Sequence, residues 1–275
     1  MSAGFKTILK LEEILAALTP PDVDINSRSF YLKVAMGEIA GYSFIEKFGE
    51  NPQVDTATTP EDVWDEGGEY TFSTTAAIDS LSSDDIGDTD IDITVVGLDT
   101  DWNEVTQTIP TDAVDGRTRV ALTTNLLRFF RAFNANGVEL LGNVYVYENT
   151  ALTLGKPTDV TKIRGKIQIG HGQTLMAIYS VPAGHTGYFL KGYVGLTTGV
   201  TSRSAALTWN ARLLGGVFRT QSAIGLSSGG SSTWQYEYPV PVSVPEKSDI
   251  KISCTDVGAN STAVSGGFTI LLVEN

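Results

Sequence analysis

From about residue 49 onward, apolar and polar side chains alternate with a period of two. In Asp90-Ile-Asp-Ile-Thr-Val95 the apolar Ile91, Ile93 and Val95 interleave with Asp90, Asp92 and Thr94, the pattern of a strand with one buried and one wet face. Leu98-Asp-Thr-Asp-Trp102 supplies turn chemistry, and Glu104-Val-Thr-Gln-Thr-Ile109 alternates again, so the two runs predict a hairpin. Leu126–Phe133 fits either a strand or a helical turn; its aromatic content and the turn-like Asn134-Ala-Asn-Gly137 favour a strand. Val144 and Val146 face one way from Asn143–Tyr147, and Tyr145 and Tyr147 the other. Further on, Ala205, Leu207, Trp209, Ala211 and Leu213 alternate with smaller or polar residues. Gly215-Gly216 then separates this run from Val217–Thr220, a second hairpin signal. Trp234, Tyr236 and Tyr238 make another period-two set. The closing run Phe268–Val273 is apolar on both faces, as a central strand between layers would be. Many short strands with frequent turn signals and no fixed repeat predict an all-β chain of antiparallel β-sandwich or jelly-roll domains.

One segment has a helical period instead. In Thr7–Leu18, the residues Ile8, Leu11, Leu15 and Leu18 fall on one stripe, Thr7 is placed to cap it and Pro20-Pro21 to stop it. A helix of this length is marginal alone and needs a surface for its stripe. No sustained period follows until Phe48. Residues 1–48 therefore read as a short helical arm, residues 49–154 as an acidic β-sandwich-like domain, and residues 155–275 as a jelly-roll-like domain. The looser stretch Glu148–Asp159 reads as a linker.

Charge divides the chain differently. Residues 1–115 carry 5 basic and 24 acidic side chains, a net −19, whereas residues 116–275 carry 14 basic and 8 acidic, a net +6. Between Phe48 and Asp115 there are eighteen Asp and Glu and no Lys or Arg. A chain divided in this way suits head-to-tail packing against copies of itself or against another charged surface. It does not suit nucleic acid, whose binding through counterion release needs a basic face. No run approaches the roughly 18 apolar residues of a membrane-spanning helix, so no membrane partner is expected. The single cysteine, Cys254, lies in an alternating strand and reads as a buried thiol, and it rules out an internal disulfide framework. With no signal-peptide pattern at Met1–Lys6, folding in a reducing cytoplasm is expected.

Candidate chemistry is sparse. Gly225-Leu-Ser227-Ser-Gly229 fits the hydrolase elbow as a string, but a glycine- and serine-rich loop and a strand follow it where the elbow needs a helix, and both histidines, His171 and His185, precede it. Two histidines at turns and one cysteine, without paired spacing, do not make a zinc site. Neither Gly155-Lys156 nor Gly165-Lys166 has the flanking residues of a phosphate loop. Same-face neighbours on a strand lie about 6.6 Å apart, so Asp88, Asp90 and Asp92 cannot share one ion. Asp84, Asp85 and Asp88 around the loop at Gly87 remain as calcium candidates against the favoured reading, a solvated acidic face. Trp209 and Trp234 read as core, whereas Trp64 and Trp102 stand in polar, turn-like surroundings and read as exposed contact residues. No enzymatic activity and no cofactor are expected.

Two stretches resemble virion proteins of tailed bacteriophages, especially marine phages. One is Gly49-Glu-Asn-Pro-Gln-Val-Asp-Thr-Ala-Thr-Thr-Pro-Glu-Asp-Val-Trp-Asp65 with Thr94–Gln107. The other is Gln173-Thr-Leu-Met-Ala-Ile-Tyr-Ser-Val-Pro-Ala-Gly-His-Thr-Gly-Tyr188 with Pro245–Ile250. The resemblance implies an all-β, trimeric, capsid-associated structural component: a decoration or cement protein, a head fibre, or a protein of the neck or tail. The favoured reading is a decoration or cement protein of the capsid surface, with a neck, tail or fibre attachment module that binds glycans as the alternative. Its partners would be the major capsid protein and other virion proteins. Ile8, Leu11, Leu15 and Leu18 would supply part of the grip.

Overall fold

Residues 27–197, 203–229 and 232–275 are described by a computed structural model. The predicted helix over Thr7–Leu18, with Ile8, Leu11, Leu15 and Leu18, lies outside the described residues. The chain forms two compact units, Met1–Phe44 and Ile45–Asn275. Within the first, helix α1 (Ser27–Ala35) sets Phe30 and Tyr31 edge-on to Tyr42 and Phe44, with ring centroids 5.9 and 5.5 Å apart. The sequence pattern showed no regular element at α1.

The strands follow as β1 (Tyr42–Val54), β2 (Glu61–Asp62), β3 (Ile78–Ser83), β4 (Asp92–Leu98), β5 (Glu104–Pro110), β6 (Val120–Leu126), β7 (Arg128–Asn134), β8 (Val144–Glu148) and β9 (Leu152–Thr153). After these come β10 (Lys156–Pro157), β11 (Ile163–Ile167), β12 (Ile178–Ser180), β13 (His185–Thr197), β14 (Ser204–Leu213), β15 (Arg219–Ser227), β16 (Thr233–Val244), β17 (Ser248–Val257) and β18 (Thr262–Glu274). They assemble into antiparallel sheets, so the chain is all-β as its pattern predicts.

Two sheets, ordered β1-β18-β13-β16 and β12-β17-β14-β15, enclose one apolar core. Phe189, Val194, Phe268 and Ile270 fill it from the first sheet, and Leu207, Trp209, Ile250 and Ile252 from the second. A second core lies among the sheets β11-β8-β3-β6 and β5-β4-β7, built from Ile78, Leu81, Ile93, Phe129, Val144, Tyr145 and Ile163. Both cores draw residues from either side of the expected division at 154/155. Val54, Val63 and Leu98 join the first, and Ile163, Ile167 and Met176 join the second.

The expected linker is also structured. β9 and β10 pair as a hairpin, and Gly155 in its turn, at φ +80°, packs so closely on the Ser83 carbonyl that a Cβ there would collide with it. Strand β2 reaches across to pair with β17, with Ser253 opposite Asp62. Residues 45–275 accordingly fold as one unit with two cores. The arm boundary moves as well, from Phe48 to Phe44, because β1 runs on to Val54 as an outer strand.

Candidate functional site

The register of the β12-β17-β14 sheet sets Ser180, Asp249 and Arg212 side by side, with Ser180 opposite Asp249 and Arg212 opposite Asp249 on its other flank. Asp249 is buried, so its charge needs partners that replace water. It has them. Arg128, the first residue of β7, closes a fork on the carboxylate, Nε to Oδ1 at 2.7 Å and Nη2 to Oδ2 at 3.1 Å. Arg212 Nε donates to Oδ2 at 3.0 Å, and the Ser180 hydroxyl to Oδ1 at 2.6 Å. Arg128 Nη1 donates to the carbonyls of Ser73 and Leu127. Two guanidinium groups thus share one carboxylate, and the cluster keeps a net charge of +1.

Aromatic rings separate these cations. Arg128 stands 4.7 Å from the Trp102 ring and 5.5 Å from Phe72, and Arg212 lies 5.0 Å from Phe72 and 4.4 Å from Phe218. Lys251 continues the row at 4.8 Å from Phe218 and ends on Asp62, Nζ to Oδ2 at 2.9 Å. Asp62 also accepts from the Ser253 hydroxyl at 2.6 Å and the Tyr70 amide at 2.7 Å, and burial pushes its pKa upward against these contacts. Stacking of a cation on a ring face is strongest where water is excluded. The row borders a cleft of about 480 Å³ lined by Phe72, Trp102, Arg128, Arg212 and Asp249, with Thr74, Thr75 and Thr100 among its polar lining. Both oxygens of Asp249 are engaged and arginine does not deprotonate. These groups therefore supply fixed charge and hydrogen bonds held against ring faces.

Trp64 and Trp102 are not exposed as their polar surroundings suggested; they retain only 3% and 4% of their accessibility. Trp64 packs edge-on against Tyr70, centroids 5.1 Å apart, and its indole N–H donates to the Gly68 carbonyl at 3.1 Å. Trp102 sits in the β4–β5 turn at φ +68°, a strained backbone for a large residue, and its ring is covered by Arg128. Polar neighbours in sequence misled here because Trp64 folds against Tyr70 of the loop that follows it and Trp102 lies under Arg128 of β7. Neither offers an open face to a sugar.

The calcium candidates are not gathered around a common point. Asp84 accepts from the Asn143 amide at 2.6 Å and the Tyr145 hydroxyl at 3.0 Å. Asp85 accepts from the Gly87 amide at 2.7 Å. Asp88 is fully buried, accepting from the Ser83 hydroxyl at 2.5 Å and the amides of Leu141 and Gly142 at 2.7 and 3.0 Å. Among the described residues no cluster of three acidic, histidine or cysteine side chains is arranged to hold a metal. Asp88 is thus a buried brace, where the sequence suggested a wet face.

Cys254 is buried as expected, and burial pushes its thiol up to about 12. His185 Nδ1 lies 2.9 Å from its neighbour's carbonyl at Ala183, and His171 Nε2 lies 3.9 Å from Glu50. Ser227 ends β15 at the surface. The sequence reading missed Arg128, Arg212 and Asp249, although an arginine inside the apolar run Leu126–Phe133 is a signal for a buried ion pair. It also missed Lys47 and Asp65. Lys47 is buried with its ammonium donating to the Phe130 carbonyl, and burial, aided by Arg131, brings its pKa down to about 7. Burial pushes Asp65 up to about 8, although the Leu175 amide donates to its Oδ2 at 3.0 Å.

No family model matches the chain, and no curated protein matches it. Solved structures with some similarity include the PBSX exported protein XepA, 12% identical over 83% of this chain and 84% of that one, with a TM-score of 0.20. Another is infectious bursal disease virus, Gt strain, 10% identical over 89% of this chain and 78% of that one, with a TM-score of 0.23. The VP2 subviral particle of infectious bursal disease virus is 10% identical over 90% and 78%, again with a TM-score of 0.23. At such scores the backbones do not superpose as one fold, and neither architecture nor function passes from those proteins to this chain. Among the described residues, no helix is long and apolar enough to cross a membrane.

Proposed function

We propose that this protein is a structural component of a tailed-bacteriophage particle, a decoration or cement subunit. It stabilises the head from the capsid surface by bridging major capsid subunits, after assembly in the host cytoplasm as a homotrimer. It works by adhesion and carries out no turnover. The observation that supports this reading best is the cleft at Asp249, whose charged groups are engaged with one another and interleaved with aromatic faces. That arrangement stiffens the body and leaves Arg212, about a quarter exposed, at its border for a partner. The division of charge along the chain, −19 over residues 1–115 against +6 over residues 116–275, adds attraction for a charged partner. The resemblance of Gly49–Asp65 and Gln173–Tyr188 to virion proteins supplies the particle. A glycan-binding module of neck, tail or fibre is less well supported, since Trp64 and Trp102 are buried.

The test is to add the purified full chain to undecorated shells and to locate it by sedimentation and electron microscopy. Binding at regular positions on the head is expected, with weaker binding when Ile8, Leu11, Leu15 and Leu18 are replaced by serine. Label confined to the tail, or no shell binding at all, overturns the reading.

A further inference from the structure

Beside the Asp249 cleft a second groove, of about 240 Å³, runs between the β14–β15 turn and β16. Its lining includes Arg212, Leu213, Val217, Arg219 and Val242, and no acidic residue. The apolar part of that lining is unusually open: Leu213 is 57% and Val217 75% exposed. Arg212 commits its Nε to Asp249, and among the described residues its two terminal nitrogens hydrogen-bond to nothing. The groove is therefore apolar, cationic and uncovered. Strand addition is not the way to cover it, because Pro239 and Pro241 remove two amides from the β16 edge.

The same chain carries a feature of opposite character. The loop after β3 and the loop after β5 are tied together, Gly116 amide to Ile86 carbonyl at 3.2 Å and Ser83 amide to Gly116 carbonyl at 2.8 Å. They hold out two apolar side chains, Ile86 at 54% and Val114 at 85% exposure. Acids flank both. Asp85 and Asp112 each spend Oδ1 on backbone amides of their own loop, and among the described residues Oδ2 of each is unbonded. Asp115 is paired with Arg117 at 3.1 Å. None of these residues lines the groove of its own chain.

We infer that the groove holds the Ile86–Val114 knob of a second copy of this chain, with Arg212 and Arg219 facing Asp85 and Asp112. Each copy then contributes one groove and one knob, a head-to-tail contact that in the proposed homotrimer closes into a three-membered ring. The inference rests on the homotrimer in the proposed function and names the surfaces that would build it. A second copy is the favoured occupant because apolar side chains and opposite charge match on both members, and every copy brings both.

The experiment is light scattering on the full chain at micromolar concentration, with Val217→Glu, Val114→Arg and the double variant. Both positions are highly exposed, so the substitutions leave the fold intact. The wild type is expected to be trimeric, and to dissociate more readily at about 0.5 M salt, where charge attraction is screened beyond a few Å. Val217→Glu sets an acid against the acidic knob and Val114→Arg a cation against the cationic groove. Each should weaken association by about tenfold or more. The double variant restores opposite charges and should recover the trimer. If the wild type is trimeric and both single variants remain so, or if the double variant fails to recover, the assignment of these surfaces falls and the trimer stands. A monomeric wild type overturns both.

Discussion

Lys47 and Asp65 show what burial does to single ionisable groups, and they pull stability in opposite directions with pH. Unfolded, they titrate near the ordinary values of 10.5 and 3.8; folded, near 7 and 8. Between about pH 4 and 8 the folded Asp65 keeps a proton that the unfolded chain has lost, so its contribution to stability falls as pH rises. Between about pH 7 and 10.5 the unfolded Lys47 keeps a proton that the folded chain has shed, so its contribution rises with pH. Below pH 7 only the Asp65 effect operates. Asp65→Asn preserves an acceptor for the Leu175 amide and removes that titration. The variant is expected to lose a slope of about 1.4 kcal/mol per pH unit between pH 5 and 7, read from urea unfolding across that range. An unchanged slope would mean that the carboxyl is ionised in the fold. Neither group was visible in the sequence, since a lysine in Glu46-Lys-Phe and an aspartate in Trp64-Asp-Glu read as surface.

Strands were legible where their inward residues are apolar. The hairpin expected from Asp90–Val95 and Glu104–Ile109 is β4–β5, with Ile93 opposite Ile109, and the hairpin expected at Gly215-Gly216 is β14–β15. β18 lies between β1 and β13 as a central strand, though only one of its faces is fully buried. β1 was missed because its inward positions are Lys47, Gly49 and Asn51, a period of two without hydrophobicity. The run Leu126–Phe133 is extended but is not one strand. Leu127 donates its amide to the Leu98 carbonyl at 2.7 Å, and the chain passes there from the sheet of β6 to the sheet of β7. The β4–β7 pairing shifts register between Val96 and Gly97, where a Cβ on Gly97 would collide with the Arg128 carbonyl. Gly97→Ala is therefore expected to cost about 1–3 kcal/mol or more, measured by chemical denaturation. It should also weaken the hold of Arg128 on Asp249, because it displaces the strand that carries the arginine. A neutral substitution would show that β7 can retreat freely.

For the whole molecule, both cores lie inside residues 45–275, so a chain trimmed to that range is expected to unfold in a single cooperative thermal transition, followed by circular dichroism. Loss of the transition would place residues 1–44 among the elements on which the body depends. The sequence by itself determined that the chain is all-β, where the β4–β5 and β14–β15 turns fall, that Cys254 is buried and that charge is divided between residues 1–115 and 116–275. These follow from periodicity and composition, which are local quantities. Only the tertiary structure decided that Trp64 and Trp102 are covered, that Asp88 is a brace, and that Arg128 meets Asp249 across 121 residues of sequence. A buried charge is tolerated only beside its partner, and the partner is chosen by sheet register and strand crossing, which no local pattern encodes.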